Sequence, residues 1–219
     1  MDDAYTPTLE DFAFTDSEME VITAALETEK PWDWKAGDER DETVKIIKKK
    51  IETFHLGRHK DQCCYCRRHL GGAGYFMIDR EHVLPKSVGA FRLLSFEIWN
   101  LGVSCKRCNM QYKKERIDFV IDQADEGARK SSHNYRLIHP NFDNYEKHFD
   151  HYMLQKNGVT LQKFTRLEGS AKAEYTYDFF NLRGLEVGSF DEAQGVAQQH
   201  QGLGKGALEA RSLAEDFGQ

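Results

Sequence analysis

Residues 63–66 read Cys63-Cys64-Tyr65-Cys66, residues 79–87 read Asp79-Arg80-Glu81-His82-Val83-Leu84-Pro85-Lys86-Ser87, and residues 105–109 read Cys105-Lys106-Arg107-Cys108-Asn109. The outer stretches hold two Cys-x-x-Cys pairs, Cys63/Cys66 and Cys105/Cys108, whose spacing lets each pair wrap a tight turn around one tetrahedral ion. Four thiolates close the coordination sphere of a Zn2+ ion and leave no position for water, so this zinc is expected to be structural. It would replace a hydrophobic core in a motif too short to fold alone. Cys64 is left over: with one residue between it and Cys66, it has poorer knuckle geometry and reads as a buried or free thiol. The 38 residues between the pairs exceed the spacing of the simplest zinc ribbons, so a substantial insertion lies inside the loop that the zinc closes. A thioredoxin-like reading is disfavoured, because neither pair follows a clear parallel strand.

The inserted residues carry the chemistry. Residues 75–82 read as a strand that ends in a carboxylate beside a histidine, and Trp99-Asn100-Leu101 opens a second short strand reaching Cys105. Asn109 falls in the first turn of an expected helix that carries Lys113, Lys114 and Arg116. With these pieces in this order, the segment resembles the HNH nucleases, the ββα-metal or His-Me finger class. The matching residues are Cys63 and Cys66, Glu81-His82-x-x-Pro85-Lys86-Ser87, Asn100-Leu101, and Cys105-x-x-Cys108-Asn109. The Glu81-His82-x-x-Pro85-Lys86 form with Trp99 before Asn100 looks most like nuclease components of bacterial anti-phage systems of the Septu and retron types. The resemblance covers residues 60–117 and, loosely, residues 139–143.

Hydrolysis of a phosphodiester needs a base to deprotonate water, a cation to neutralise the phosphate, and a group to stabilise the leaving oxygen. His82 suits the base, since one ring nitrogen can face water while a backbone carbonyl holds the other. The resemblance implies that Glu81 and Asn109 hold a catalytic Mg2+ or Mn2+ ion and that Asn100 braces the loop orienting His82. The commoner family pattern has an aspartate before the histidine. Here Glu81 is one methylene longer, and Asp79 lies two residues earlier on the same strand face. Either carboxylate, or both, can serve, with Glu81 preferred. Lys86, Arg92, Lys106, Arg107, Lys113 and Lys114 surround the expected site and suit phosphate contacts that read no sequence. His139 lies outside the motif and is as well explained by packing or support.

Outward from the motif, charge divides the chain. Residues 1–42 hold 14 acidic and 3 basic side chains, residues 43–59 hold 1 and 5, residues 60–117 hold 5 and 11, and residues 118–219 hold 16 and 11. The formal net charge of −6 therefore conceals a basic segment between an acidic arm and a mildly acidic remainder, and all 5 cysteines lie inside the basic part. The reading has four parts: an acidic arm with one helix (1–42), the nuclease core (43–117), an α/β extension (118–190) and a Gly/Gln-rich tail with a possible helix (191–219). In the arm, Ser17 and Glu20 form a capping-box pattern ahead of Val21, Ile22, Ala25 and Leu26. Pro31 stops that helix, and Trp32 and Trp34 mark an apolar patch that docks on the main body. Val44, Ile47, Ile51 and Phe54 form the stripe of a second helix that stops at Gly57, with its lysines on other faces as solvated charge or DNA contacts. Further on, 135–138 reads as a strand and 143–152 as a helix. Residues 153–164 read as a hairpin about Asn157-Gly158, and 171–182 as a helix. The fold class expected is α+β: a zinc-stabilised ββα-metal core with N-terminal helices and a C-terminal α/β extension.

No run of about 18 apolar residues and no signal peptide is present, which fits a cytoplasmic protein without a membrane partner. The function expected is a metal-dependent endonuclease acting on DNA. From the resemblance, its partner is an ATPase subunit of a defence complex, of SMC or ABC type. Two alternatives stand beside it: a non-catalytic zinc-stabilised nucleic-acid or protein-interaction module, and a nuclease that cleaves RNA.

Overall fold

The computed structural model describes residues 3–71, 77–156 and 159–186, and it mixes helix and sheet. The start of the first expected strand at Tyr75 and Phe76, the Asn157-Gly158 turn and the tail 191–219 with its expected helix lie outside the described residues. Among the described residues no helix is long and apolar enough to cross a membrane. The chain divides into two compact units, Met1–Asn144 and Tyr145–Gln219.

In the first unit, helix α1 (Asp16–Leu26) packs on helix α2 (Arg40–Arg58). The cap of α1 is Thr15, not Ser17: Glu18 N donates to Thr15 Oγ1 at 3.2 Å, and Thr15 N donates to Glu18 Oε2 at 2.8 Å. Two overlapping boxes were available, and the earlier one also brings Glu18 within 2.6 Å of Lys50 Nζ on α2. From this start Val21, Ile22 and Ala25 face inward to join Trp32, Val44, Ile47, Ile51, Phe96 and Leu101 in one apolar cluster. Helix α2 runs through Gly57 instead of stopping there. The left-handed turn falls on Lys60 and Asp61 (φ 53° and 55°), where Asp61 N donates to Leu56 O at 2.8 Å. The extra turn buries Arg58, whose guanidinium donates to Asp3 at 2.8 and 3.0 Å, so one acidic residue of the arm neutralises an interior cation.

Strands β1 (Ile78–His82) and β2 (Leu101–Cys105) pair antiparallel, with Asp79 opposite Ser104, Glu81 opposite Gly102 and His82 opposite Leu101. Every residue of β2 is buried, and it lies against α2. After β2 the expected α-helix is wound more widely, as a π-helical turn over Arg107–Lys113. Such turns are rare and recur at functional sites. It closes with Lys114 N donating to Asn109 O at 2.7 Å, and it carries Lys113 inward. Residues 135–138 form no strand, only an isolated bridge between Val120 and Tyr135. His139 stacks on Phe142 at 4.1 Å. Asn141 Nδ2 donates to the carbonyls of Trp99 (2.9 Å) and Leu101 (2.7 Å) at the entrance of β2.

The second unit is a hairpin of β3 (Phe149–Lys156) and β4 (Val159–Arg166), followed by α3 (Ala171–Phe179), capped by Ser170, and the short α4 (Arg183–Glu186). The helix expected over 143–152 is absent. A single turn at Tyr145–Lys147 precedes β3, because pairing with β4 sets Phe149 and His151 against Phe164, at 6.0 and 4.6 Å between rings. Such cross-strand contacts outweigh local helical preference. The helix expected over 171–182 ends early, and Asn181 turns the chain at φ 46°.

Candidate metal centre and hydrolytic site

Cys63, Cys66, Cys105 and Cys108 are all buried, and their Sγ atoms lie within 4.8 Å of one another. Zinc–sulfur bonds of about 2.3 Å in a tetrahedron imply sulfur–sulfur edges of about 3.8 Å. The Cys66–Cys105 separation is 3.8 Å, so the set fits a structural zinc ion. Burial works against the Cys63 thiolate, but the four neighbouring thiols overcome it and hold its pKa well below the ordinary thiol value. Cys66 and Cys108 are pushed well above theirs, first by Cys105. Four thiols this close cannot all ionise without a cation among them. Cys64 is buried outside the cluster, with burial pushing its pKa up.

The cluster sits at the end of the β1–β2 pair where Ile78 lies opposite Cys105, and the side chains of the pair separate into three environments. Glu81 is interior: Lys113 Nζ lies 2.8 Å from Oε1, Tyr65 donates its hydroxyl to the same oxygen at 3.0 Å, and both members of the ion pair are at most 2% exposed. Burial pushes the Glu81 carboxyl above its usual range, with Lys113 and Tyr65 pulling the other way. Its second oxygen, Oε2, is buried without a hydrogen bond in the described structure. Lys113, expected among the phosphate-facing cations, is instead this buried counterion.

Asp79 occupies the second environment. It opens onto a cleft of about 540 Å3 that it lines with Trp32, Ile78, Arg80, Lys106, Asn109 and Met110. Lys106 Nζ donates to Asp79 Oδ1 at 2.8 Å, and the Asn109 amide sits 3.3 Å from Oδ2. The structure thus brings Asp79, and not Glu81, to Asn109. An ammonium already sits on that carboxylate, and the Asn109 oxygen and nitrogen can exchange by a half-turn of the amide. An aspartate oxygen and an amide oxygen are hard donors of the kind that divalent cations with several retained waters take.

The third environment belongs to His82, which is 6% exposed. Its Nε2 lies 3.0 Å from the Ser95 carbonyl. A carbonyl only accepts, so Nε2 carries the proton and Nδ1 is the basic nitrogen. Burial lowers the pKa of this imidazole to about 3, although the Ser95 carbonyl favours its charged form. Asn100 ties down the loop that follows: its Oδ1 accepts from Leu84 N at 2.7 Å, and its Nδ2 donates to the carbonyls of Leu84 (3.1 Å) and Leu94 (3.3 Å). The Trp32 ring stands edge-on to His82, with centroids 4.6 Å apart.

The remaining expected cations are dispersed. Lys86 pairs with Asp33, Arg92 donates to the carbonyls of Leu26 and Thr28, and the Arg107 guanidinium lies 4.4 Å from the centre of the Tyr112 ring. Lys114 is exposed at the left-handed residue that ends the π turn. Tyr65, Trp32, Ser95 and Asn141 contribute to the site without having been singled out for it. Two of them left a trace in the sequence: Trp32 in the apolar patch expected to dock on the main body, and Asn141 within the loosely matching residues 139–143. Comparison with protein families, curated proteins and solved structures returns no match.

Proposed function

We propose that this protein is a metal-dependent phosphodiesterase that nicks nucleic acid, DNA foremost, by HNH-type chemistry. The observation that carries the reading is one antiparallel strand pair, held at one end by the cysteine cluster, that bears a braced histidine whose Nδ1 is the basic nitrogen and a carboxylate paired with Asn109. His82 Nδ1 would take a proton from water, while the Ser95 carbonyl holds the other nitrogen and so fixes the tautomer. A positioned base of this kind is worth about 10²–10⁴ in rate. Asp79 and Asn109 would hold Mg2+ or Mn2+, with water completing its coordination. When bound, the ion supplies neutralisation of the charge that builds on the phosphate. Lys106, displaced from Asp79, remains beside the cleft as a phosphate contact. The partner proposed is an ATPase subunit of a defence complex.

The test is nicking of supercoiled plasmid by zinc-loaded protein in Mg2+ or Mn2+, with and without the product of the neighbouring gene and with RNA in parallel. His82→Ala should abolish the activity while zinc content and melting temperature are kept. Equal nicking after the substitution would refute the mechanism. The burial of His82 favours a second reading, a zinc-stabilised binding module without catalysis. In that case His82→Ala leaves every measured activity unchanged and Cys105→Ser destroys the fold.

A further inference from the structure

We infer that residues 26–34 are a displaceable cover over the substrate cleft, with Trp32 sealing His82 and Asp33 standing where a substrate phosphate would bind. The inference rests on the hydrolytic reading above and adds its regulation.

The Trp32 indole meets the His82 ring edge-on at 4.6 Å, lies 5.3 Å from the Phe96 ring, and has Lys48 Nζ 5.1 Å from its centroid. Trp32 and His82 are 7% and 6% exposed, so each excludes water from the other. The same indole lines two cavities. One, of about 330 Å3, is also lined by Asp33, Lys86, Arg92 and Ser95; the other, of about 540 Å3, contains Asp79, Lys106 and Asn109. Trp32 therefore borders both the cavity beside Ser95, whose carbonyl holds His82, and the cavity that contains the proposed metal ligands, and it packs on the His82 ring itself. A scissile phosphodiester has to meet both the base and the metal ligands, and the indole occupies the face of the imidazole that it packs on.

The cover also satisfies the cations that a nucleic-acid strand would need. Lys86 pairs with the Asp33 carboxylate, and Arg92 Nη1 donates to the Leu26 carbonyl at 2.8 Å and to that of Thr28. Both cations are thus engaged by oxygens of one short segment, a carboxylate and two carbonyls, in place of phosphate oxygens. Trp32 shares the apolar cluster of Val21, Ile22 and Ala25, but the segment that carries it, Pro31–Asp33, is a single 3-10 turn, and the Asp33–Lys86 pair beside it is half open to solvent. An ion pair so exposed holds weakly and is screened by salt. A polyanion competes for the same lysine and arginine, which makes the substrate, or an acidic partner surface, the natural agent of displacement.

The experiment uses the full zinc-loaded chain in three forms: wild type, Asp33→Ala/Lys48→Ala, which loosens the cover without touching the apolar cluster, and Trp32→Ala. Two rates are read: carbethoxylation of His82, followed by peptide mass spectrometry, and plasmid nicking in Mg2+ or Mn2+. Expected is at least a tenfold rise in both for the double variant and for Trp32→Ala. If Trp32→Ala does not fold, the double variant carries the test alone. Folded variants whose His82 reacts and whose plasmid is nicked at the wild-type rate overturn the cover. Faster modification of His82 with no cleavage by any form upholds the cover and refutes the hydrolytic reading. Unchanged modification beside His82-dependent cleavage by the wild type does the reverse.

Discussion

Replacing Lys113 with methionine should destabilise this protein far more than removal of an ordinary lysine does. The Glu81–Lys113 pair is 2.8 Å apart and at most 2% exposed at either end. At an effective dielectric near 20, that distance corresponds to an attraction of about 6 kcal/mol. Each ion gives up several kcal/mol of hydration on burial, so the intact pair roughly breaks even. Lys113→Met removes the attraction and leaves Glu81 desolvated, for an expected loss of about 3–5 kcal/mol. Glu81→Gln/Lys113→Met should recover most of it, because the amide oxygen still accepts from Tyr65 and no charge remains. Urea unfolding of the zinc-loaded wild type, both single variants and the double variant gives the coupling directly. The pH dependence has a defined sign. Burial already raises the Glu81 pKa, and loss of Lys113 raises it further above the unfolded value. The deficit of Lys113→Met should therefore shrink as pH falls below the raised pKa, where the carboxyl is protonated, and reach its full size at higher pH. A cost below about 1 kcal/mol for Lys113→Met, or a double variant that merely sums the two singles, would refute the reasoning.

Two further predictions concern the zinc and the interior histidines. All three tryptophans, at 32, 34 and 99, lie in the first unit, so their fluorescence reports on it. Chelation, or Cys105→Ser, should unfold that unit cooperatively, since structural zinc supplies about 10–16 kcal/mol in small motifs; an unshifted spectrum at zero zinc would exclude a structural role. His55 is fully buried, and burial, then Arg58, lowers its pKa to about 3. A depressed histidine pKa gives stability that is complete above about 6.5 and is lost as pH falls toward 3. This residue should cost about 2 kcal/mol between pH 7.5 and pH 5. His55→Leu should flatten that part of the pH–stability curve, measured at saturating zinc, and an unchanged slope would count against the assignment.

The cysteine cluster was legible because ligand spacing is a local property: two Cys-x-x-Cys turns declare their chemistry wherever the chain goes. The hairpin over 153–164 was legible for the same reason, through Asn157-Gly158. Depth was not. Asp79 and Glu81 share a strand face, and period-2 alternation treats them alike. The structure leaves the Asp79 side chain 18% exposed and buries Glu81 at 1%. Lys113 read as a phosphate contact because its counterion, Glu81, is distant in sequence, and the burial of Arg58 against Asp3 left no local sign for the same reason. The strand that replaces the helix expected over 143–152 has the same origin, since its partner β4 outweighs the local pattern. Trp32 was identified as an apolar anchor, but nothing local showed that its target would be the imidazole proposed as the base.

Asn141 bears on how far the site can be separated from its surroundings. Its amide donates to the backbone carbonyls of Trp99 and Leu101, the residues on either side of Asn100. A fragment trimmed to the span of the recognisable motif, 60–117, would leave those two carbonyls without this donor beside Asn100, which ties down the loop after His82. The sequence signature is thus shorter than the working part. A transplant into another scaffold would need the His139–Phe142 turn as well, or a substitute donor. Insertions between 118 and 138 would be tolerated only if they return the chain to that spot.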